Sequence, residues 1–361
     1  MSGPRPRPGI MDIAPYVGGE AHVEGVARVI RLASNETPLG PSPQAVAAYR
    51  GLAGELHRSP DGGAEALRAA IAERWNLDRA RLACSSGSDE MISLLAHAYA
   101  GPGDEILFSE HGFLMYAIAC RAAGATPVRT PEPDLRVDVA ALLAAVTPRT
   151  RLLFVANPNN PTGTYLTRAE LARLHGRLRE DILLVVDAAY AEYADRDDYS
   201  SGVELVDAAA NVLMLRTFSK IYGLAALRLG WAYGPQPVID VLHRVRGPFN
   251  VNQAAQAAGI AAVRDTAHIA RAKAHNRRWR AWLSERLGAL GLETTPSIGN
   301  FVLARFPAGR EAASAAADHL RRAGILVRAM AAYGLPDSLR ITVGLEEENL
   351  ALLDALTEFM G

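Results

Sequence analysis

Only two of the 38 basic residues in this 361-residue chain are lysines, Lys220 and Lys273, which leaves 38 − 2 = 36 arginines. Arginine replaces lysine well enough for charge and solubility, but a guanidinium stays protonated and forms no imine. A lysine left inside a motif is therefore a candidate for amine chemistry. Lys273 lies in Arg271-Ala-Lys273-Ala-His275-Asn-Arg277, a charged helical run, and reads as a solvated surface group. Lys220 lies in Arg216-Thr217-Phe218-Ser219-Lys220-Ile221-Tyr222-Gly223, with Arg228 eight residues further on. A lysine flanked by hydroxyls and aromatics suits an aldehyde cofactor that carries a phosphate. The amine forms the imine, while Thr217, Ser219 and Arg228 bind the phosphate.

Three more segments carry polar groups where a ligand would lie. Ser85-Ser86-Gly87-Ser88-Asp89-Glu90 is a small-residue turn opening a helix, where unpaired N–H groups make an anion site. By itself the stretch reads rather as an ordinary N-cap at Ser88 or Asp89. Asn157-Pro158-Asn159-Asn160-Pro161-Thr162-Gly163 has the Pro and Gly density of a turn, and it directly follows the apolar run ending at Ala156. Asp187 ends the run Ile182–Val186, with Tyr190 three residues on. A carboxylate at the end of a buried strand needs a cation or hydrogen-bond donors, and a structural arginine would serve as well as a ligand.

The elements that position these residues follow from hydrophobic patterning. Strand-like runs occur at Arg81–Ser85, Glu105–Phe108, Leu152–Ala156, Ile182–Asp187, Val212–Leu215 and Leu229–Tyr233, with helical stretches such as Thr167–Arg179 between several of them. Alternating strands and helices predict an α/β protein, its mostly parallel sheet covered by helices on both faces. Ligands in such sheets bind at the carboxyl ends of the strands. After Pro248-Phe249-Asn250 the pattern changes. A helical region covers roughly Asn252–Leu290, followed by a strand (Asn300–Arg305), a helix (Ala312–Ala323), a strand (Leu339–Val343) and a closing helix from Glu347. This reads as a smaller α/β domain. The expected division is 1–34 as an N-terminal arm with part of the small domain, 35–248 as the large cofactor-binding domain and 249–361 as the small C-terminal domain.

Bulk composition is that of an ordinary globular protein, 49% hydrophobic and 21% charged. With 38 basic and 39 acidic residues the net charge is −1, so no global field draws in nucleic acid or an anionic membrane. No apolar run reaches the ~18 residues of a membrane span. The arm has no apolar signal-peptide core. Cys84 and Cys120 have neither metal-type spacing nor a disulfide pattern, and no metal site is expected. A cytoplasmic enzyme is the expectation.

Taken together, these motifs resemble the pyridoxal-phosphate (PLP)-dependent aminotransferases of the aspartate-aminotransferase fold, and within them the histidinol-phosphate aminotransferases. The resemblance runs over nearly the whole chain. It rests on Ala33-Ser34-Asn35-Glu36-Thr37-Pro38-Leu39-Gly40, Gly87-Ser88-Asp89-Glu90, Asn159-Asn160-Pro161-Thr162-Gly163, Asp187-Ala-Ala-Tyr190, the Lys220 segment and Leu339-Arg340-Ile341-Thr342-Val343-Gly344. It implies the PLP-dependent transferase fold and a homodimer with active sites at the subunit boundary. It also implies Lys220 as Schiff-base lysine and proton carrier, and Asp187 on the pyridinium nitrogen. Asn160 and Tyr190 would contact the ring hydroxyl oxygen and Phe113 the ring face. Gly87, Ser88, Asp89, Thr217, Ser219 and Arg228 would surround the cofactor phosphate. For substrate the resemblance implies Arg340, with Arg328 and Tyr16 adding phosphate contacts, and Asn35 in the same pocket.

The implied reaction couples histidinol phosphate and 2-oxoglutarate to imidazole-acetol phosphate and glutamate. An aromatic amino-acid aminotransferase and a PLP decarboxylase of a phosphorylated amino acid are the alternatives on the same scaffold. A nucleotide-binding α/β protein is disfavoured, because no G-x-G-x-x-G follows an early strand. Two departures from the family pattern stand out. Many relatives have a tyrosine in an Arg-Tyr-Pro-Asp stretch that reaches the neighbouring subunit's cofactor phosphate, where this chain has Arg58-Ser59-Pro60-Asp61. Ala188 stands where many relatives have Glu, between the two cofactor contacts Asp187 and Tyr190.

Overall fold

A computed structural model describes residues 3–26 and 28–361. The strands are β1 (Ile30–Leu32), β2 (Leu82–Ser85), β3 (Glu105–Ser109), β4 (Thr126–Thr130), β5 (Thr150–Ala156), β6 (Leu183–Asp187), β7 (Val212–Thr217), β8 (Gly230–Tyr233), β9 (Glu293–Thr294), β10 (Phe301–Arg305), β11 (Ile325–Ala329) and β12 (Ser338–Thr342). The helices are α1 (Pro43–Arg50), α2 (Glu65–Trp75), α3 (Ser88–Tyr99), α4 (Leu114–Ala123), α5 (Val139–Ala144), α6 (Arg168–His175), α7 (Val203–Ala208), α8 (Gln236–Val245), α9 (Gln253–Arg264), α10 (Thr266–Ala289), α11 (Arg310–Arg322) and α12 (Glu346–Met360).

Seven strands form the large sheet in the order β2-β8-β7-β6-β5-β3-β4. Neighbours from β7 to β4 pair parallel, whereas β8 runs antiparallel to both β7 and β2. The central strands are apolar at nearly every position because both faces are covered. Along β6, Leu184 and Val186 join one core layer while Leu183 and Val185 join the other. The alternation carries on to the strand ends, placing Asp187 and Thr217 on the Leu183/Leu215 face and Arg216 on the opposite one. Edge strand β4, with its Pro127 and exposed Arg129, lacks the apolar run that marks the others.

The small sheet has the order β1-β11-β12-β10-β9. Its first strand comes from the N-terminal segment, since Ile30–Leu32 pairs parallel with Ile325–Val327. The helical region after residue 252 is two helices. Asp265 ends α9 and its side chain caps α10, accepting from the His268 N–H at 3.0 Å. The first of these packs on α1 and α2, its Ala255, Ala258 and Ala262 lying in the large core. The second starts in that core at Ile269 and Ala272 and ends in the small-domain core at Trp279, Leu283 and Leu287. Helix α9, although it follows residue 249, thus packs in the core of the large sheet. Among the described residues no helix is long and apolar enough to cross a membrane, and no cluster of His, Cys, Asp or Glu could hold a metal.

Candidate active site

The strand ends of the large sheet open into a cleft roofed by the small sheet and by the arm. Its volume is ≈ 900 Å³ including the open mouth. Fourteen of the fifteen residues singled out from the sequence line it, namely Tyr16, Asn35, Ser88, Asp89, Phe113, Asn160, Asp187, Tyr190, Thr217, Ser219, Lys220, Arg228, Arg328 and Arg340. Gly87 does not line the cleft but shapes it. At φ 81°, ψ 159° its backbone occupies a region open almost only to glycine. A Cβ there would lie 2.5 Å from Nη2 of Arg228.

Lys220 projects from the turn after β7. Its Nζ donates to the Ser34 carbonyl at 3.1 Å and sits 5.8 Å from the Tyr190 ring centroid. Burial pushes the ammonium down to about 8, helped by the charge of Arg340. A neutral amine is thus within reach near physiological pH.

Asp187 ends β6. One carboxylate oxygen accepts from the Tyr116 hydroxyl at 2.8 Å, while the other, Oδ1, is buried and has no partner. Burial raises this carboxyl to about 6 despite the tyrosine bond. Such an oxygen is costly to leave unpaired, and it awaits a donor from whatever fills the cleft. Tyr116, on α4, is fixed by stacking on Phe154 with centroids 4.8 Å apart.

The opposite end of the cleft is an anion site. Helix α3 begins at Ser88 with no side chain capping it. Its first N–H groups and the positive end of its dipole therefore face the cleft. Arg228 reaches the same place, bonded to Asp89 at 2.9 Å and to the Ser219 hydroxyl at 3.3 Å. Thr217 Oγ1 accepts from the Ser219 N–H at 3.1 Å and squares the turn.

The remaining wall belongs to the small domain and the arm. Arg340 donates to the Asn160 side-chain oxygen and, at 2.7 Å, to the Ala33 carbonyl, while its Nε is buried without a partner. Arg328 donates to the Val17 carbonyl at 2.6 Å, which ties the arm down beside Tyr16. Tyr190 accepts from Asn35 at 2.9 Å, and burial holds its hydroxyl un-ionised. Asn35 adopts φ 54°, a left-handed conformation that asparagine tolerates, and is clamped there by Thr342 and Asn300.

Two lining tyrosines were not singled out from the sequence. Tyr116 lies three residues after Phe113, in the first turn of the helix that Phe113 precedes, but nothing local links it to Asp187. Tyr333 comes from a short turn before β12, with no motif around it. Lys273 is also not free in solvent, since its Nζ donates to the Ala194 carbonyl at 2.6 Å.

One cleft thus offers a depressed lysine, an unpartnered carboxylate oxygen and an anion cradle. Those fit the aldehyde, ring nitrogen and phosphate of the cofactor that the resemblance implies. The comparisons with known proteins agree. Residues 27–356 match the family described as aminotransferase class I and II. Histidinol-phosphate aminotransferases of Paramagnetospirillum magneticum and Rhodospirillum centenum are 60% and 58% identical, covering 100% of this chain and 100% and 99% of their own. Among solved structures, histidinol-phosphate aminotransferase from Sinorhizobium meliloti in complex with pyridoxal-5'-phosphate superposes with a TM-score of 0.90 at 27% identity, over 99% of this chain and 98% of that one. An aspartate aminotransferase of Thermus thermophilus gives 0.81 at 25%, over 92% and 91%. The chain is a member of the class I and II aminotransferases and, within them, of the histidinol-phosphate aminotransferases.

Proposed function

We propose that the protein transfers an amino group reversibly from L-histidinol phosphate to 2-oxoglutarate, giving imidazole-acetol phosphate and L-glutamate, with pyridoxal 5'-phosphate held in the cleft. The observation that carries this is the convergence of the Lys220 amine, the unpartnered Asp187 oxygen and the α3–Arg228 anion site opposite Arg340 and Arg328. The bound cofactor supplies an electron sink conjugated to the substrate Cα.

The chain's residues do the rest. Lys220 would hold the cofactor aldehyde through its amine, and its Nζ is the group that would accept and return the proton of the substrate Cα. Asp187 Oδ1 would pair with the ring nitrogen, and Tyr116 fixes that carboxylate through its other oxygen. Asn160 presents its amide nitrogen to the ring oxygen, because Arg340 already occupies its Oδ1. Tyr190 donates to the same oxygen. Phe113 covers the ring face, edge-on to Tyr116. Ser88 and Asp89 at the start of α3, with Thr217, Ser219 and Arg228, hold the phosphate. Arg340 receives the anionic end of either substrate, carboxylate or phosphate, through paired N–H groups. Arg328 and Tyr16 add contacts to a phosphate.

A cytoplasmic homodimer completes this reading. Leu56 and Phe249, 82% and 53% exposed, flank a groove beside the Arg58–Pro60 stretch and supply apolar surface for a second copy.

The test is the visible spectrum of the cofactor-loaded protein, titrated with histidinol phosphate and separately with phenylalanine. Loss of the visible band at low histidinol phosphate, with phenylalanine far weaker, is the expected result. Equal response to both identifies a broad aromatic aminotransferase instead. A protein with no band after PLP is added would overturn the reading.

A further inference from the structure

Behind the active cleft, on the other face of the same sheet, lies an ion pair that the reaction does not use. Arg216 donates to Oε1 of Glu192 from Nη2 at 2.8 Å and from Nε at 3.2 Å. Both side chains are buried, 6% and 3% exposed. The guanidinium lies 4.6 Å from the Trp75 ring centroid and 5.5 Å from that of Trp231. The Tyr199 and Tyr222 hydroxyls lie close to the pair, which lines a cavity shared with Arg74, Glu204 and Lys273, and charges buried this far are costly. A buried pair of this kind adds little stability over apolar residues of equal volume, but it imposes a direction that apolar contacts lack. Here two donors converge on one oxygen.

What that direction fixes follows from chain position. Arg216 immediately precedes Thr217 and stands four residues before Lys220. Glu192 stands two residues after Tyr190 and five after Asp187. The bridge thus spans the two strand ends whose front face carries the chemistry. The adjoining backbone provides one cross-link, the Ala188 N–H to the Leu215 carbonyl at 2.9 Å. Beyond it the two segments diverge into turns, and the side-chain pair is what ties those turns together from the rear. The same segment is held from α10, where Lys273 donates to the Ala194 carbonyl at 2.6 Å and Arg280 to Asp195 at 3.0 Å.

We infer that Arg216 and Glu192 are positioning residues for the catalytic face, setting the separation of the Tyr190 segment from the Lys220 segment through the rear of the sheet. The pair touches neither cofactor nor substrate, and it acts by fixing where the Lys220 amine lies relative to Tyr190 and Asp187. The groups around that amine are Arg340, Arg228, Asp89, Glu36, Asp187 and Tyr190, on five different segments, so a small displacement changes its balance of charges.

The inference rests on the cofactor assignment to this cleft, and the experiment separates the two. The double variant Arg216→Met with Glu192→Met removes both charges together, leaving no unpaired ion in the core. It is checked for folding by circular dichroism, loaded with PLP and titrated with acid and base while the visible band is followed. The expected result is a folded protein that binds the cofactor, with a titration midpoint moved by about half a pH unit or more from wild type. Misplacement of this kind also lowers kcat by about tenfold or more with KM changed less than kcat. An unchanged midpoint and kcat in the folded double variant would overturn the inference and assign the pair a purely structural role. If the double variant does not fold, Arg216→Lys is measured in the same way. It keeps the charge but loses the two-point contact, and a wild-type midpoint and kcat there overturn the inference equally. A wild-type protein that shows no band sinks the cofactor assignment itself, not the positioning role alone.

Discussion

Replacing Asp187 by Asn should stabilise the cofactor-free protein while weakening its hold on the cofactor. The magnitude comes from the carboxyl's burial. Its folded value of about 6 lies above the ordinary 3.8, so the empty protein binds this proton more tightly than the unfolded chain does. Stability therefore falls as pH rises between the two values, opposite to the usual case of an ion-paired aspartate. Below 3.8 both states are protonated and nothing is lost. Above 6 both are ionised and the full cost of about 3 kcal/mol applies, at about 1.4 kcal/mol per unit. At pH 5 roughly half of it is already present. Asn abolishes this dependence, though its amide N–H₂ must occupy the place of the unpartnered Oδ1, so the net gain is smaller than 3 kcal/mol. The assay is urea unfolding of the two cofactor-free proteins between pH 5 and 8. The stability difference should move in favour of Asn by about 1.4 kcal/mol across that range. Added PLP should reverse the order at pH 8, because only Asp pairs with a protonated ring nitrogen. Parallel pH curves for the two proteins would refute the reasoning.

Gly87→Ala puts a Cβ 2.5 Å from Arg228 Nη2 in a backbone region that alanine avoids. The dissociation constant for PLP should rise at least about tenfold, equivalent to about 1.4 kcal/mol, and fluorescence titration of the cofactor-free protein measures it. Because burial disfavours the Lys220 ammonium, the rate at which PLP reacts with the cofactor-free protein should rise with pH and level off above about 8. An ordinary lysine would keep climbing past 10. Ser59→Tyr should tighten PLP retention in the dimer by roughly 1.5–3 kcal/mol, one charge-assisted hydrogen bond, and equal dissociation constants would count against a cross-subunit phosphate contact.

Much of the site was legible in the sequence because its residues sit in turns directly after strands, where local composition and position are both readable. Lys220, Asp187, Asn160 and Ser88 each follow an apolar run, and the fold brings those run ends to one edge of the sheet. Tyr116 was not legible as the partner of Asp187, since the two are 71 residues apart and their contact depends on sheet order. Strand β1 was hidden for a related reason. Three residues in a Gly- and Pro-rich arm carry too little pattern to predict that they pair with β11. Lys273 misled through its charged neighbours, because its carbonyl partner lies on a different element. The break at Asp265 was missed because no Gly or Pro marks it and both flanking segments are good helix formers, so only the cap geometry separates them.

Helix α10, with 24 residues and so roughly 36 Å long, begins in one hydrophobic core and ends in the other. A rod shared in this way removes the choice of melting one half alone. Unravelling the small domain would strip Trp279, Leu283 and Leu287 of their cover and fray the helix back toward Ile269, opening the large core from its flank. The two halves should accordingly exchange their most protected amides with closely similar free energies of opening, as one cooperative unit despite their separate sheets.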